Sequence, residues 1–174
     1  VNTNWISKPL RTGYTIGNSV GISGKGNNMT YRVNANIRNV KGVMKDDYRN
    51  TYGVSLFLAY HVADKLTVSY QSNYSSVKSQ DSPYGTFSSY VSLNPYDTPY
   101  DESGTLLKKL SWDVNNPLYE AKAGNFNKTS ANTFTNTVNI RWDILKGLYF
   151  TANGSIVSDH SDQEIFISPA SASY

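Results

Sequence analysis

Residues 52–74 alternate apolar and polar side chains in two runs joined by Ala63-Asp64-Lys65. A period of two confines such a segment to β-strand. On the first run Tyr52, Val54, Leu56, Leu58, Tyr60 and Val62 share one face; Gly53, Ser55, Ala59 and His61 share the other, with Phe57 as an apolar intruder. The second run sets Leu66, Val68, Tyr70 and Tyr74 against Thr67, Ser69, Gln71 and Asn73, which makes the pair an antiparallel hairpin. The same unit recurs. Tyr14, Ile16, Val20 and Ile22 form one apolar face, with Asn18 as a lapse, and Tyr31, Val33, Ala35 and Ile37 a second. Phe134, Val138, Ile140, Trp142 and Ile144 lead through Lys146-Gly147 to Leu148, Phe150, Ala152 and Ile156. About six antiparallel strands and an all-β fold are expected.

The connections alternate in length. Short turns are expected at 24–28, 63–65 and 146–147, and longer loops at 39–50 and, above all, 77–131, so the short turns share one end. Residues 1–9 form an irregular lead-in ending at Pro9, and 158–174 return to polar, irregular chain. Tight turns at one end and large loops at the other are the pattern of outer-membrane barrels. The apolar faces add two aromatic belts, Tyr14, Tyr52, Tyr74 and Phe134 near the long loops and Tyr31, Tyr60, Trp142 and Phe150 near the short turns. Tyr52 to Tyr60 spans about 26 Å of strand, or roughly 20 Å of depth at a tilt of about 40°, near the apolar band of a bilayer. These patterns lead to hairpins of a transmembrane β-barrel, about six strands of a larger one, with residues 1–174 as part of its barrel domain. Arg32, Arg38 and Arg141 then face the lumen. The alternative is a soluble, secreted β-sandwich that binds carbohydrate or a cell-surface partner, in which the same polar face meets solvent.

Composition excludes little. Charged residues are 17% and aromatics 13%, with 14 tyrosines, a ring suited to surfaces dry at one end and wet at the other. A mean hydropathy of -0.48 is compatible with alternating membrane strands. No apolar run is long enough for a transmembrane helix, no basic and apolar leader opens the chain, and the scattered basic residues argue against nucleic acid. There is no cysteine for a disulfide or thiolate site.

Several short stretches resemble the barrel of SusC/RagA-type TonB-dependent transporters, nutrient importers of the bacterial outer membrane typical of Bacteroidetes. They are Asn4-Trp5, Leu10-Arg11-Thr12-Gly13-Tyr14, Ser19-Val20-Gly21-Ile22-Ser23-Gly24, Tyr31-Arg32-Val33 and Val40-Lys41-Gly42-Val43 with Tyr48-Arg49. The longest runs from Asn94-Pro95-Tyr96-Asp97 through Thr98-Pro99-Tyr100-Asp101 to Glu102-Ser103-Gly104, followed by Asn116-Pro117-Leu118-Tyr119 and Ile144-Leu145-Lys146-Gly147-Leu148. The resemblance implies uptake of an oligosaccharide or peptide, a SusD-like surface lipoprotein partner, TonB, a plug and a barrel of about 22 strands. It implies that this chain is a piece of the barrel.

Chemistry-bearing residues concentrate in the long loop. Loops of that size usually carry function. Tyr84, Phe87, Tyr90, Tyr96, Tyr100, Trp112 and Tyr119 lie there among Pro, Gly and Asn. Flat rings rimmed by amides and by Asp97 and Asp101 suit a sugar, a peptide or a partner; equally, the rings suit a small core within the loop. Asp97, Asp101, Glu102, Asp113 and Glu120 lack the spacing of a calcium loop, and His61 and His160 are too few for a metal centre. No nucleophile motif is present. No catalytic residue, metal or cofactor is expected.

Overall fold

The computed structural model describes residues 2–172. Six strands, β1 (Tyr14–Lys25), β2 (Met29–Lys41), β3 (Tyr48–Ala63), β4 (Leu66–Gln80), β5 (Phe126–Leu145) and β6 (Leu148–Phe166), form one antiparallel sheet in sequence order. The long connection holds α1 (Phe87–Val91), a 3₁₀ turn (Ser111–Asp113) and α2 (Pro117–Lys122). The all-β expectation and the six strands hold. The sheet does not close on itself, and β1 and β6 are its two edges.

The register keeps one parity across every pair. Ile22, Val33, Leu56, Ser72, Asn136 and Ile156 lie level on one face; the next rung places Ser23, Arg32, Phe57, Gln71, Thr137 and Ser155 on the other. Two polar pairs interrupt the apolar face in β4 and β5, and tyrosines cover them. Tyr70 Oη donates to Asn136 Oδ1 at 2.6 Å, and Tyr74 Oη to Asn132 Oδ1 at 3.1 Å.

Among the described residues no second layer packs on either face. The described residues expose 11698 Å², whereas a compact chain of 19.4 kDa exposes roughly 8,500 Å². The apolar sheet face contributes to the excess: Ile16, Val20, Ile22, Val54, Val138 and Ile156 are all exposed.

Three boundaries differ from the sequence expectation. The longest connection covers 81–125 rather than 77–131, the loop expected at 39–50 shrinks to 42–47, and residues 158–166, expected to be irregular, belong to β6. The irregular chain expected at 173–174 lies outside the described residues. The cause is common to all three. Beyond the rung of Asn39, Asn50, Lys78, Ser130 and Asp162 apolar side chains are scattered (Val40, Tyr48, Phe126, Ile165 and Phe166) and no longer alternate along the strands, so backbone pairing continues after the hydrophobic alternation has stopped.

The aromatic belts run obliquely to the rungs. At the short-turn end Tyr31 of β2 is level with Tyr70 of β4, whereas Trp142 and Phe150 of β5 and β6 are level with Leu66, four residues further along β4. At the other end Tyr14 is level with Tyr48 of β3, whereas Phe134 is level with Val54, six residues on. With rises of about 3.3 Å per residue and strands about 4.8 Å apart, both belts lie at roughly 35–45° to the rungs. The short turns step with the nearby belt. The β1–β2 turn lies near the level of Ala59, β3–β4 beyond Ala63, and β5–β6 three residues beyond Trp142.

The β5–β6 turn is Lys146-Gly147, and Gly147 has φ of 85°. Gly147→Ala is therefore expected to cost about 1–2 kcal/mol, while Gly154→Ala, on an extended backbone with open space around it, costs little. Urea unfolding midpoints of the two variants measure the difference.

Candidate functional site at the loop end of the sheet

Four irregular segments, 2–13, 42–47, 81–125 and 167–172, emerge at the same end of the sheet and bind one another. The lead-in starts it. Trp5 Nε1 donates to the Asn94 carbonyl at 2.9 Å, and Thr3 N–H to the Pro95 carbonyl at 2.8 Å. Further along, Arg11 N–H donates to Val43 O and Lys45 N–H to Pro9 O, while the Arg11 guanidinium reaches Gly42 O at 3.0 Å and lies 3.8 Å from the Asp47 carboxylate. Ser82 Oγ donates to Lys45 O at 2.6 Å, which ties the β2–β3 loop to the start of the longest connection.

A small core fills this cap. Trp5 (3% exposed), Tyr90 (1%), Leu110 and Leu118 are buried together, with Tyr84, Leu93 and Leu106 packed against them. Asn116 carries the polar interior. It is fully buried; its Nδ2 donates to Pro99 O at 3.0 Å and Leu107 O at 2.8 Å, and its Oδ1 accepts from Leu118 N–H as the cap of α2. Pro117 at the first helical position and Gly124, with φ of 89° just past Ala123, complete the start and stop of that helix. Glu120 on α2 accepts from Asn125 Nδ2, Ser171 Oγ and Ala172 N–H, which fastens 167–172 to the cap.

The structure divides the loop aromatics. Tyr90 is in the core, Tyr84 is half-buried with the Lys45 ammonium 5.6 Å from its ring centre, and Tyr119 is half-buried on α2. Tyr96 (77% exposed) and Trp112 (92%) point outward, and Tyr100 and Phe87 are partly exposed. Trp112 and Asp113 are consecutive residues in the left-handed region, with φ of 60° and 61°. Holding two non-glycine residues there costs of order 1–3 kcal/mol each and is characteristic of binding sites. Below Trp112 a cleft of about 270 Å³ is lined by Ser92, Asn94, Asp97, Ser111 and Asn115 among others. Asp97 Oδ1 accepts from Ser111 Oγ at 2.6 Å.

Asp101 and Asp113 are engaged locally. Asp101 Oδ1 accepts from Ser103 Oγ, Ser103 N–H and Thr105 N–H, and these bonds, led by the serine hydroxyl, hold its carboxyl below the usual aspartate range. Asp113 pairs with Lys109 at 2.7 Å. No group of three or more His, Asp or Glu stands together among the described residues. Arg32, Arg38 and Arg141 lie away from the cap on the polar face of the sheet, Arg141 paired with Asp143 at 3.1 Å. Sequence reasoning missed Trp5, Arg11 and Asn116 as the residues that assemble the cap. The Asn-Pro start with Gly124 one short helix later was the available signal for Asn116; nothing local marks Trp5 or Arg11. No protein-family model matches the chain, and no curated protein matches its sequence.

Two substitutions test the cap. Asn116→Asp keeps the helix-capping acceptor but turns two donors into an anion facing the carbonyls of Pro99 and Leu107; a loss of roughly 2–5 kcal/mol is expected, seen as rapid proteolysis within 81–125. The Tyr90 hydroxyl is buried with no partner, and burial raises its pKa. Above the ordinary tyrosine value of 10.0 the unfolded chain loses this proton while the folded chain keeps it, so stability falls as pH rises beyond 10. Tyr90→Phe is expected to be neutral or stabilising by up to about 1 kcal/mol at pH 7 and to shrink that alkaline loss, measured by unfolding at pH 7 and pH 11.

Proposed function

We propose that the chain is a wall segment of an outer-membrane β-barrel importer of the SusC-like, TonB-dependent kind, with its apolar face toward lipid and its cap outside the cell. The observation that carries this reading is the oblique course of both aromatic belts. Membrane barrel strands tilt by about 35–45°, so belts that are horizontal in a bilayer must cross the rungs at that angle. A soluble sheet has no reason to keep two parallel diagonals of rings eight residues apart. The short turns step with the belt beside them, as turns near a flat membrane surface do. The sandwich alternative needs a second sheet over the apolar face; within this chain all six strands lie in one layer.

On this reading the two sheet edges pair with further strands of the same barrel, which removes their unpaired backbone groups from lipid. The cap contributes to cargo uptake or to docking of a SusD-like lipoprotein, with Trp112, Tyr96 and the cleft around Asp97 as the contact surface. TonB powers release through a plug, the cargo is an oligosaccharide or peptide, and the work is transport without covalent chemistry.

Arginine insertion tests the topology in the full-length protein. Leu56→Arg places a charge mid-band on the apolar face and is expected to cost roughly 2–4 kcal/mol and reduce assembly into outer membranes. Ser55→Arg, one residue away on the polar face, is expected to assemble normally. Equal yields of heat-modifiable barrel from both variants would remove the basis for a lipid-facing surface.

A further inference from the structure

The polar face of the sheet is electrically one-sided over β1–β4, whereas over β5 and β6 it also carries Asp143 and Asp159. Across β1–β4 it carries Lys25, Arg32, Arg38 and Arg49 and no carboxylate. Arg32, Arg38 and Arg49 are exposed and make no ion pair among the described residues. Arg38 is opposite Thr51, and Arg49 is its diagonal neighbour, at about 7–8 Å by strand geometry, where like charges repel. Arg32 lies six residues further along β2, roughly 20 Å away. Beside it a depression of about 290 Å³ is lined by Arg32, Asn34, Ser55, Phe57 and Gln71, with the Phe57 ring as one wall. Gly21 and Gly53 occupy the rungs of Asn34 and Asn36, where a Cβ would collide with those amides, so both side chains lie across the neighbouring strand.

We infer that this face binds a carboxylate-bearing oligosaccharide, so that the cargo of the proposed importer is an acidic glycan; this rests on the lumenal assignment of the face. Guanidinium groups are planar forks that match carboxylates two bonds at a time. Repulsion between Arg38 and Arg49, uncompensated among the described residues, is relieved by an anion between them. Asn34, Asn36, Ser55 and Asn73 fill the rungs between the arginines, with Gln71 level with Arg32, and they offer donors and acceptors together, as hydroxyl-rich rings require. The 20 Å separation suits an oligomer rather than a single sugar.

The test uses full-length protein purified from outer membranes in detergent, with trigalacturonate and its fully methyl-esterified, uncharged form as probes in calorimetry. The acid is expected to bind at least roughly tenfold tighter than the ester, to weaken with added salt, and to lose at least roughly tenfold in the combined Arg32→Gln, Arg38→Gln and Arg49→Gln variant. Lys41→Gln with Lys78→Gln, on the opposite face, is expected to leave affinity unchanged. Equal binding of acid and ester, no binding of either, or an unaffected triple variant would overturn the inference while membrane assembly of the same protein leaves the barrel reading standing. A tetraglutamate peptide binding as tightly as the acid would overturn the assignment to sugar. If the full-length protein is instead recovered from the soluble fraction and binds the acid in a charge-dependent way, that result would remove the barrel and importer reading, leaving an acidic-glycan binder.

Discussion

Parity is the constraint on which this sheet depends. Side chains alternate with a period of two, so a slip of one residue in any of five strand pairings would turn that strand's apolar set to the polar face. The connections prevent this. Two-residue links at Asp64-Lys65 and Lys146-Gly147, each with a local register shift beside it, return the chain with its faces matched. A self-contained globular chain would enforce parity by burying one face in a core. Among the described residues neither face is covered, and on the proposed reading parity instead sorts side chains between two different surroundings, one apolar and one aqueous.

The cap is organised by a different physics. Its core is a few large side chains, and much of its order comes from buried or half-buried polar groups that bridge distant segments: the Trp5 indole, the Arg11 guanidinium, the Asn116 amide and the Glu120 carboxylate. Each joins chain segments far apart in sequence, and each leaves costly unpaired partners if removed. Anchoring of this kind leaves Trp112 and Tyr96 free to face outward on a firm base.

Legibility followed the same division. Strand pairing, strand order and face assignment were readable because Tyr52 to Val62 and their counterparts repeat one simple pattern. Strand ends were not readable where Ser75 to Gln80, Asn127 to Ser130 and Asp159 to Glu164 carry almost no apolar side chain, since alternation needs a hydrophobic partner to register. Of the loop rings, Tyr90 and Trp112 looked alike in sequence. What separates them is contact with Trp5 and Leu118 in one case and a left-handed backbone in the other, and neither is written in neighbouring residues.

The two ends of the sheet do not mirror each other. At the short-turn end the hairpins descend with the belt; at the loop end the strands finish almost level along one rung, from Tyr14 through Lys41, Tyr48 and Gln80 to Lys128 and Glu164. Once the belts are set horizontal, that level rung becomes a slope. β1 begins at its belt residue, Tyr14, whereas β5 extends eight residues past Phe134, to Phe126, or about 20 Å of height at a tilt near 40°. If the sheet is a barrel wall as proposed, it forms a parapet, high at β5 and β6 and low at β1, so anything arriving over this segment meets an open step on one flank and a barrier on the other.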